Sequence, residues 1–429
     1  MVMTRRAWRM ILLASLGGTL EYYDFVIFGI FAAQIGRAFF PSQDPLVSLM
    51  VTFTTFAIGY LARPIGGLVL GRLGDKFGRR GVFLASIFVT SAATLGIGIV
   101  PTYASWGIAA SVTVVLLRLT QGFCLGGELP GAITYVVESA KPIAPFVCSV
   151  VFGCVTLGVA LGTTIALIVG NVLTPAEAAV YGWRIAFIIG GLLGLASFWL
   201  RRSFEESPEF VELKRLERAS QEPIGELART HAWQIFVGIA AQAVTAVFAG
   251  LFFAYMPAYL TAVSKYDAST ATFAQTYGVV LHAALIVFVG WLADHYPPHL
   301  LLRIGAIVLA VGAYPFYAAL SAHSVNIIAL MTIAALTGAF VNGTFAFVTA
   351  DLFPTRIRFS GVAVVQNISQ TAFGGTAPLI ATALVRDLQS PVAPALVVIA
   401  CGVMTFVGSF WAARAAGRVR VRTAAAVLP

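Results

Sequence analysis

The chain has 429 residues, of which 59% are hydrophobic and only 10% are charged, with a mean hydropathy of +0.90. Soluble globular domains carry about 25% charged residues, so this composition excludes one and implies an integral membrane protein. The formal charge of +9 then reads as an excess of Lys and Arg on one membrane face, not as a nucleic-acid surface.

The apolar runs are continuous over about 20 residues or more, unlike the roughly ten-residue alternating segments of a barrel, so helices satisfy the backbone. Cys124, Cys148, Cys154 and Cys401 show no CxxC spacing and no neighbouring His cluster, which supports neither a disulfide framework nor a zinc site. Thr4-Arg5-Arg6-Ala7-Trp8-Arg9 faintly mimics a twin-arginine export signal, but Glu21 and Asp24 interrupt the apolar run behind it.

Taken in order, apolar runs against polar punctuation predict twelve spans, at 11–39, 48–73, 81–100, 105–138, 144–171, 182–200, 232–262, 270–294, 300–320, 325–350, 359–385 and 391–414. An even count puts both termini on one side. Segments on that side hold 21 of the 27 Lys and Arg residues, against Arg37, Arg184, Lys265 and Arg386 on the other and Arg63 and Arg118 within spans, so both termini are expected to be cytoplasmic. The mixed-charge segment 201–231 divides the chain into an N-terminal six-helix bundle (1–200) and a C-terminal one (232–429) with a short tail. It reads as a tether or as short helices at the inner surface.

The first span contains Leu20-Glu21-Tyr22-Tyr23-Asp24-Phe25, two carboxylates three apart in an apolar helix. An acid at bilayer depth costs roughly 3 kcal/mol unless it is paired or protonated, so it marks a functional site by default. The junction of spans two and three carries Gly71-Arg72-Leu73-Gly74-Asp75-Lys76-Phe77-Gly78-Arg79-Arg80. It resembles the G-x-L-x-D-[RK]-x-G-R-R loop of the major facilitator superfamily. Glycines there permit a tight turn, Asp75 can cap or pair with a neighbouring helix end, and Arg79 and Arg80 stay in water. An internal repeat places Gly290-Trp291-Leu292-Ala293-Asp294 at the junction of spans eight and nine, without the basic tail. The first latch is therefore expected to do more of the inward-gate work.

Further motifs narrow the resemblance. These are Arg63-Pro64-Ile65-Gly66 in span two, the stretch from Arg118-Leu119-Thr120-Gln121-Gly122 to Glu128 and Glu138 in span four, Arg201-Arg202-Ser203-Phe204-Glu205 after span six, and Asp351-Leu352-Phe353-Pro354-Thr355-Arg356-Ile357-Arg358 before span eleven. Together they resemble the metabolite:proton symporter family of that superfamily over the whole chain. The resemblance implies an all-α polytopic fold, twelve transmembrane helices in two pseudo-symmetric six-helix bundles, alternating access and proton coupling. Its members carry small organic acids such as citrate, 2-oxoglutarate or shikimate, or zwitterions such as proline and betaine.

Depth arithmetic adds to this. At about 1.5 Å per residue, Asp24 lies roughly 20 Å from the inner end of span one and Arg118 roughly 18 Å below the outer end of span four, both central in a core of about 30 Å, and Arg63 and Glu128 lie roughly 15 Å from the inner ends of their spans. Two couples are predicted, Asp24 with Arg118 and Arg63 with Glu128; each can be structural or functional. Asp24 is the first candidate for carrying the proton and Glu21, for which no partner is evident, the second. Arg118, Arg63, Tyr22 and Gln121 are the candidates for substrate binding. Glu128, Glu138, Gly71, Asp75, Gly78, Arg79, Arg80, Asp294 and Arg356 are the candidates for gating or structure. The second half offers only uncharged or weakly basic groups at this depth, among them Gln242, His282, Asn342 and Gln370.

The expected function is proton-coupled symport of a small mono-, di- or tricarboxylate by a monomer in a bacterial inner membrane, with protons and lipid as its other partners. No cofactor, metal, nucleic acid or enzymatic activity is expected. The alternatives are a proline or betaine symporter, which the short segment after span twelve argues against only for osmosensing relatives with long coiled-coil tails, and a proton-independent facilitator or exporter.

Overall fold

The computed structural model describes residues 5–77, 79–124, 128–140, 143–204, 227 and 229–425, with side chains throughout except at 5–14, 16–17, 68, 71–72, 74–80, 83, 128–129, 131–132, 139, 200–204, 356 and 418–425. All regular secondary structure among them is helical. Among the described residues nine helices are long and apolar enough to cross a membrane: Pro45–Gly67, Ala144–Val172, Pro175–Trp199, Ala232–Val263, Ala268–His295, Pro298–Ala322, Ile327–Asp351, Arg358–Asp387 and Pro394–Gly417. The first helix, Arg5–Ile30, and the shorter apolar helices Leu84–Ile99 and Ile108–Cys124 complete the twelve predicted spans, numbered here in chain order.

The boundaries differ where backbone chemistry intervenes. Span one turns at Phe31 and resumes as Ala32–Phe39. Span four starts only at Ile108, because Gly107 takes φ 56° and ends the short helix Tyr103–Trp106; it continues as Glu128–Ser139. Span six begins seven residues early, at Pro175, where Thr174 and Glu177 form a reciprocal capping box. Asp267 caps span eight by accepting from the Thr270 amide at 3.0 Å. Hydrogen bonds from the Thr270 side chain and backbone hold this carboxylate below its usual range. Spans seven and eleven are wound as π-helix over Ala249–Tyr255 and Gln370–Gly375. The expected surface helices of 201–231 fall largely on 205–226, outside the described residues.

Small residues set the helix contacts, as they do where lipid offers no hydrophobic drive to association. Within the first half, span two lies against span four so closely that a Cβ on Gly122 would sit 1.8 Å from the Gly59 carbonyl oxygen, and one on Gly66 1.8 Å from that of Phe123. Spans three and six meet at Gly191 and Gly194, whose added Cβ atoms would strike Leu95 and Ser91. Arg184 donates to the carbonyls of Gly98 and Val100 at 2.9 Å, satisfying the free end of span three. Gly122→Ala is expected to separate spans two and four at a cost on the order of 1–3 kcal/mol. Thermal unfolding of the detergent-solubilised chain should register this as a lowered midpoint.

The halves meet along spans five and eight, two and eleven, and one and seven. Gly290 of span eight lies on Ser149 of span five, Gly375 on Tyr60, and Gly29 on Ala254. Both membrane faces carry links across this seam. On the face bearing the chain ends, Arg358 pairs with Glu138 at 3.1 Å, and Asp294 accepts from the Phe146 amide at 3.1 Å, capping span five. On the opposite face Arg386 lies 3.6 Å from Asp44, both half-exposed.

Candidate functional site: a buried charge network around Phe25

Three residues along an α-helix turn through about 300°, so Glu21 and Asp24 point about 60° apart. That offset sends them to different neighbours instead of the one space their spacing suggests. Glu21 takes Arg63 of span two, Oε1 to Nη2 at 3.3 Å, both side chains under a tenth exposed. This corrects one sequence expectation: Glu21 has a partner, and it is Arg63. The Glu128 side chain, assigned to Arg63 by depth, lies outside the described residues.

Asp24 turns instead toward spans three and six. A Cβ on Gly190 would stand 2.7 Å from its Oδ1, so glycine makes room for the carboxylate. Its Oδ2 lies 3.3 Å from the Thr94 hydroxyl. That hydroxyl also lies 2.9 Å from the Thr90 carbonyl and accepts from Gln121 Nε2 at 2.8 Å. Gln121 Oε1 in turn accepts from Arg118 Nη1 at 3.0 Å. Asp24 and Arg118 are therefore not the direct ion pair that depth predicted; Thr94 and Gln121 stand between them. Depth arithmetic finds the level of two side chains but not their azimuth, and here two short polar residues fill the difference.

Arg118 is fully buried. Its guanidinium lies over Phe25 at 4.3 Å and Phe28 at 4.5 Å, and Arg63 lies over the same Phe25 ring at 4.3 Å. One aromatic ring thus faces both buried cations, whose charge its quadrupole attracts. Nε and Nη2 of Arg118, the two donors that point together along one edge of the guanidinium, have no hydrogen-bond partner among the described residues. Unsatisfied buried donors of a charged group are costly, and a carboxylate is the group that fits both at once.

Tyr22 leans the other way, edge-on to Phe152 of span five at 6.2 Å, and Phe152 meets Phe345 of the second half at 4.8 Å. Tyr22 therefore reaches the seam between the halves. Across it Tyr255 packs on Phe53 at 5.6 Å. His282 is satisfied at both nitrogens, Nδ1 to the Ala335 carbonyl at 2.8 Å and Nε2 to the Asn342 amide at 2.9 Å. It reads as a structural residue.

Of the gating candidates, Glu138 and Asp294 both cross the seam, although Asp294 lacks the basic tail of the first latch. Glu138 takes Arg358, two residues beyond the predicted Arg356. Gly78 and the side chains at Gly71, Asp75, Arg79, Arg80 and Arg356 lie outside the described residues. Thr94, Gly190 and Phe28 are not singled out by the sequence, and Arg358 only as the last residue of the motif before span eleven. Only Arg358, a cation opening a span at the level of Glu138, left a signal there.

Comparison with known proteins places this arrangement. The Major Facilitator Superfamily model matches residues 14–378. A putative proline/betaine transporter of Staphylococcus aureus is 34% identical over 414 residues, covering 95% of this chain and 88% of its own length. The proline/betaine transporter of Escherichia coli is 31% identical over 415 residues, covering 91% and 81%. Among solved structures, the partially occluded inward-open xylose transporter XylE of E. coli superposes with a TM-score of 0.71 at 16% identity, over 95% of this chain and 97% of that one. A D-xylose-proton symporter gives 0.69 at 18%, over 94% and 97%. At such identities the structures speak for the fold alone, whereas the family model and the relatives above 30% speak for descent. The chain belongs to the major facilitator superfamily and is a multi-pass membrane transporter of twelve helices in two six-helix bundles.

Proposed function

We propose that the chain is a proton-coupled symporter of a small carboxylate-bearing solute, working by alternating access in a bacterial inner membrane with both termini cytoplasmic. The observation that carries this reading is Arg118: a buried guanidinium with two parallel donors that have no partner among the described residues, tied through Gln121 and Thr94 to the Asp24 carboxylate.

The Thr94 hydroxyl has one hydrogen and two acceptors within reach, Asp24 Oδ2 and the Thr90 carbonyl. With Asp24 ionised, that hydrogen serves the carboxylate, and the network balances the Arg118 charge. With Asp24 protonated, the carboxyl donates to Thr94 and the threonine hydrogen turns to Thr90. The network then carries one more positive charge in a low-dielectric interior, and Arg118 attracts an anion. Proton and carboxylate thus favour each other's binding, and linkage makes the effect reciprocal. Rocking of the halves about their seam, with the Glu138–Arg358 link and the Asp294 cap broken on the cytoplasmic side, would expose the loaded site. Glu21 and Arg63, already paired, hold span one to span two.

An organic acid and a zwitterion both supply the carboxylate. The zwitterion is favoured by the names of the relatives, which are proline/betaine transporters. It is favoured also by the rings of Tyr22, Tyr60, Phe152, Phe345 and Tyr255 at the seam, which suit an organic cation. Uptake into proteoliposomes with an alkaline interior, screening mono-, di- and tricarboxylates against proline and betaine, tests the proposal. One of these should accumulate, and a protonophore should abolish the accumulation. Uptake that only equilibrates, whatever the gradient, would make the chain a facilitator instead.

A further inference from the structure

Spans nine and twelve pack tightly, a Cβ on Gly402 standing 2.8 Å from that of Ala310 and 3.0 Å from the Ala306 carbonyl oxygen. Their outer side, uncovered by protein, presents Leu300, Ile304 and Val308 of one helix and Val403, Val407 and Phe410 of the other. In a chain that spans the bilayer, such an apolar surface faces lipid. Arg303 borders it, five residues beyond Pro298, the first residue of span nine, or about 8 Å in from the face bearing the chain ends. Its Nε donates to Ser409 Oγ at 3.1 Å, and its guanidinium carbon lies 3.4 Å from the centre of the Phe410 ring. Ser409 is fully buried and fixed in turn, donating to the Phe406 carbonyl at 2.7 Å.

The guanidinium is thus held by one donor and one face, while Nη1 and Nη2 have no hydrogen-bond or ion partner among the described residues. Arg414, exposed and one helical turn beyond Phe410 on the same face, forms no ion pair among them either. Asp351, the carboxylate that ends span ten, lies 3.7 Å from His299 instead. A second feature marks the depth. Trp411 follows Phe410 directly and clusters with Trp233 and Phe236 of span seven, with ring centres 5.5 to 6.0 Å apart; Trp233 and Phe236 are each half-exposed. Indoles concentrate at the boundary between headgroups and acyl chains. Arg303 and Arg414 therefore stand at the level of the lipid phosphates.

We infer that the lipid-facing groove between spans nine and twelve binds one anionic phospholipid from the leaflet on the side of the chain ends, its phosphodiester held between Arg303 and Arg414 and an acyl chain laid along Phe410, Val407 and Ile304. Nη1 and Nη2 offer phosphate a two-donor fork, Phe410 and Ser409 keep that fork from wandering, and Arg414 adds charge. A zwitterionic headgroup would bring its own ammonium to a place that already holds two cations, so an anionic one is preferred. The inference needs only that the chain spans a bilayer and is independent of which solute it carries.

Native mass spectrometry of the purified full chain, titrated with phosphatidylglycerol and with phosphatidylcholine, reads the site directly. One phosphatidylglycerol should bind about tenfold more tightly than phosphatidylcholine. Arg303→Gln and Arg414→Gln should each weaken it by about fivefold and together by about 30-fold, as expected for one and two cations at a membrane surface. Phe410→Leu keeps both charges and the apolar bulk but removes the stack, and should weaken it by about threefold. Arg229→Gln removes an exposed cation just before span seven, on the same membrane face but outside the groove, and should change nothing. Because Arg414 is exposed, its variant keeps the test open if Arg303→Gln does not fold. Equal binding of the two lipids, equal losses in the three arginine variants, or indifference to Phe410→Leu would reduce the effect to diffuse attraction and overturn the inference. Displacement of the lipid by millimolar inorganic phosphate would overturn it as well, since the arginines would then hold phosphate from solution.

Discussion

Asp24→Asn is expected to abolish accumulation driven by a pH gradient while leaving solute exchange intact. With one proton per solute, a gradient of one pH unit supports at most about tenfold accumulation, because a unit of pH is worth about 1.4 kcal/mol. The variant should fall to a ratio of about one. Asparagine has the carboxyl's shape and keeps a donor for the Thr94 hydroxyl, which Asp24 Oδ2 reaches at 3.3 Å. It therefore imitates the protonated carrier permanently. Arg118 stays uncompensated, solute binds from either side, and labelled solute exchanges, but no proton is taken up or released. A variant that still concentrates solute along a pH gradient would move the proton site elsewhere, with Glu21 next in line. Thr94→Val probes the connection itself: it should flatten the pH dependence of uptake, and Thr94→Ser, which restores the hydroxyl, should recover it. An unchanged profile in Thr94→Val would disconnect Asp24 from Gln121.

The elements of this network were unevenly legible. Charges at bilayer depth are rare because they are costly, so Glu21, Asp24, Arg63 and Arg118 stood out of the sequence, and rise per residue placed Asp24 and Arg118 both near the middle of the core. Their partners did not stand out. Pairing depends on rotation about each helix axis, which the packing of glycines decides: Gly122 against Gly59 fixes span four on span two, and Gly190 opens the pocket that draws Asp24 toward span six. Thr94 looks like any other threonine in an apolar helix until its neighbours are known. The π-helical stretches of spans seven and eleven were illegible for a related reason. A wider turn changes no composition, yet at Ala249–Tyr255 it sets the carbonyl that Gln275 holds. The twelve spans themselves were readable because a bilayer demands long apolar runs with internally satisfied backbones, and no packing detail can waive that.

Arg118→Lys is expected to weaken solute binding by about 30- to 150-fold, or roughly 2–3 kcal/mol, with folding retained. Lysine keeps the charge, so attraction at a distance survives and the effect isolates geometry. In the parent chain Nη1 is engaged by Gln121 at 3.0 Å while Nε and Nη2 have no partner among the described residues. One planar group can thus hold the relay with one donor and a carboxylate with two. An ammonium has no such division of labour: to keep Gln121 it must turn from the solute, and to meet the solute it must abandon Gln121. It also loses the flat stacking on Phe25 and Phe28, at 4.3 and 4.5 Å in the parent. Half-saturation of exchange in proteoliposomes gives the affinity, and the thermal midpoint in detergent reports folding. The affinity loss should persist in the Asp24→Asn background, where Arg118 is already uncompensated. A half-saturation within threefold of the parent value, in a chain that unfolds normally, would place the solute carboxylate away from Arg118.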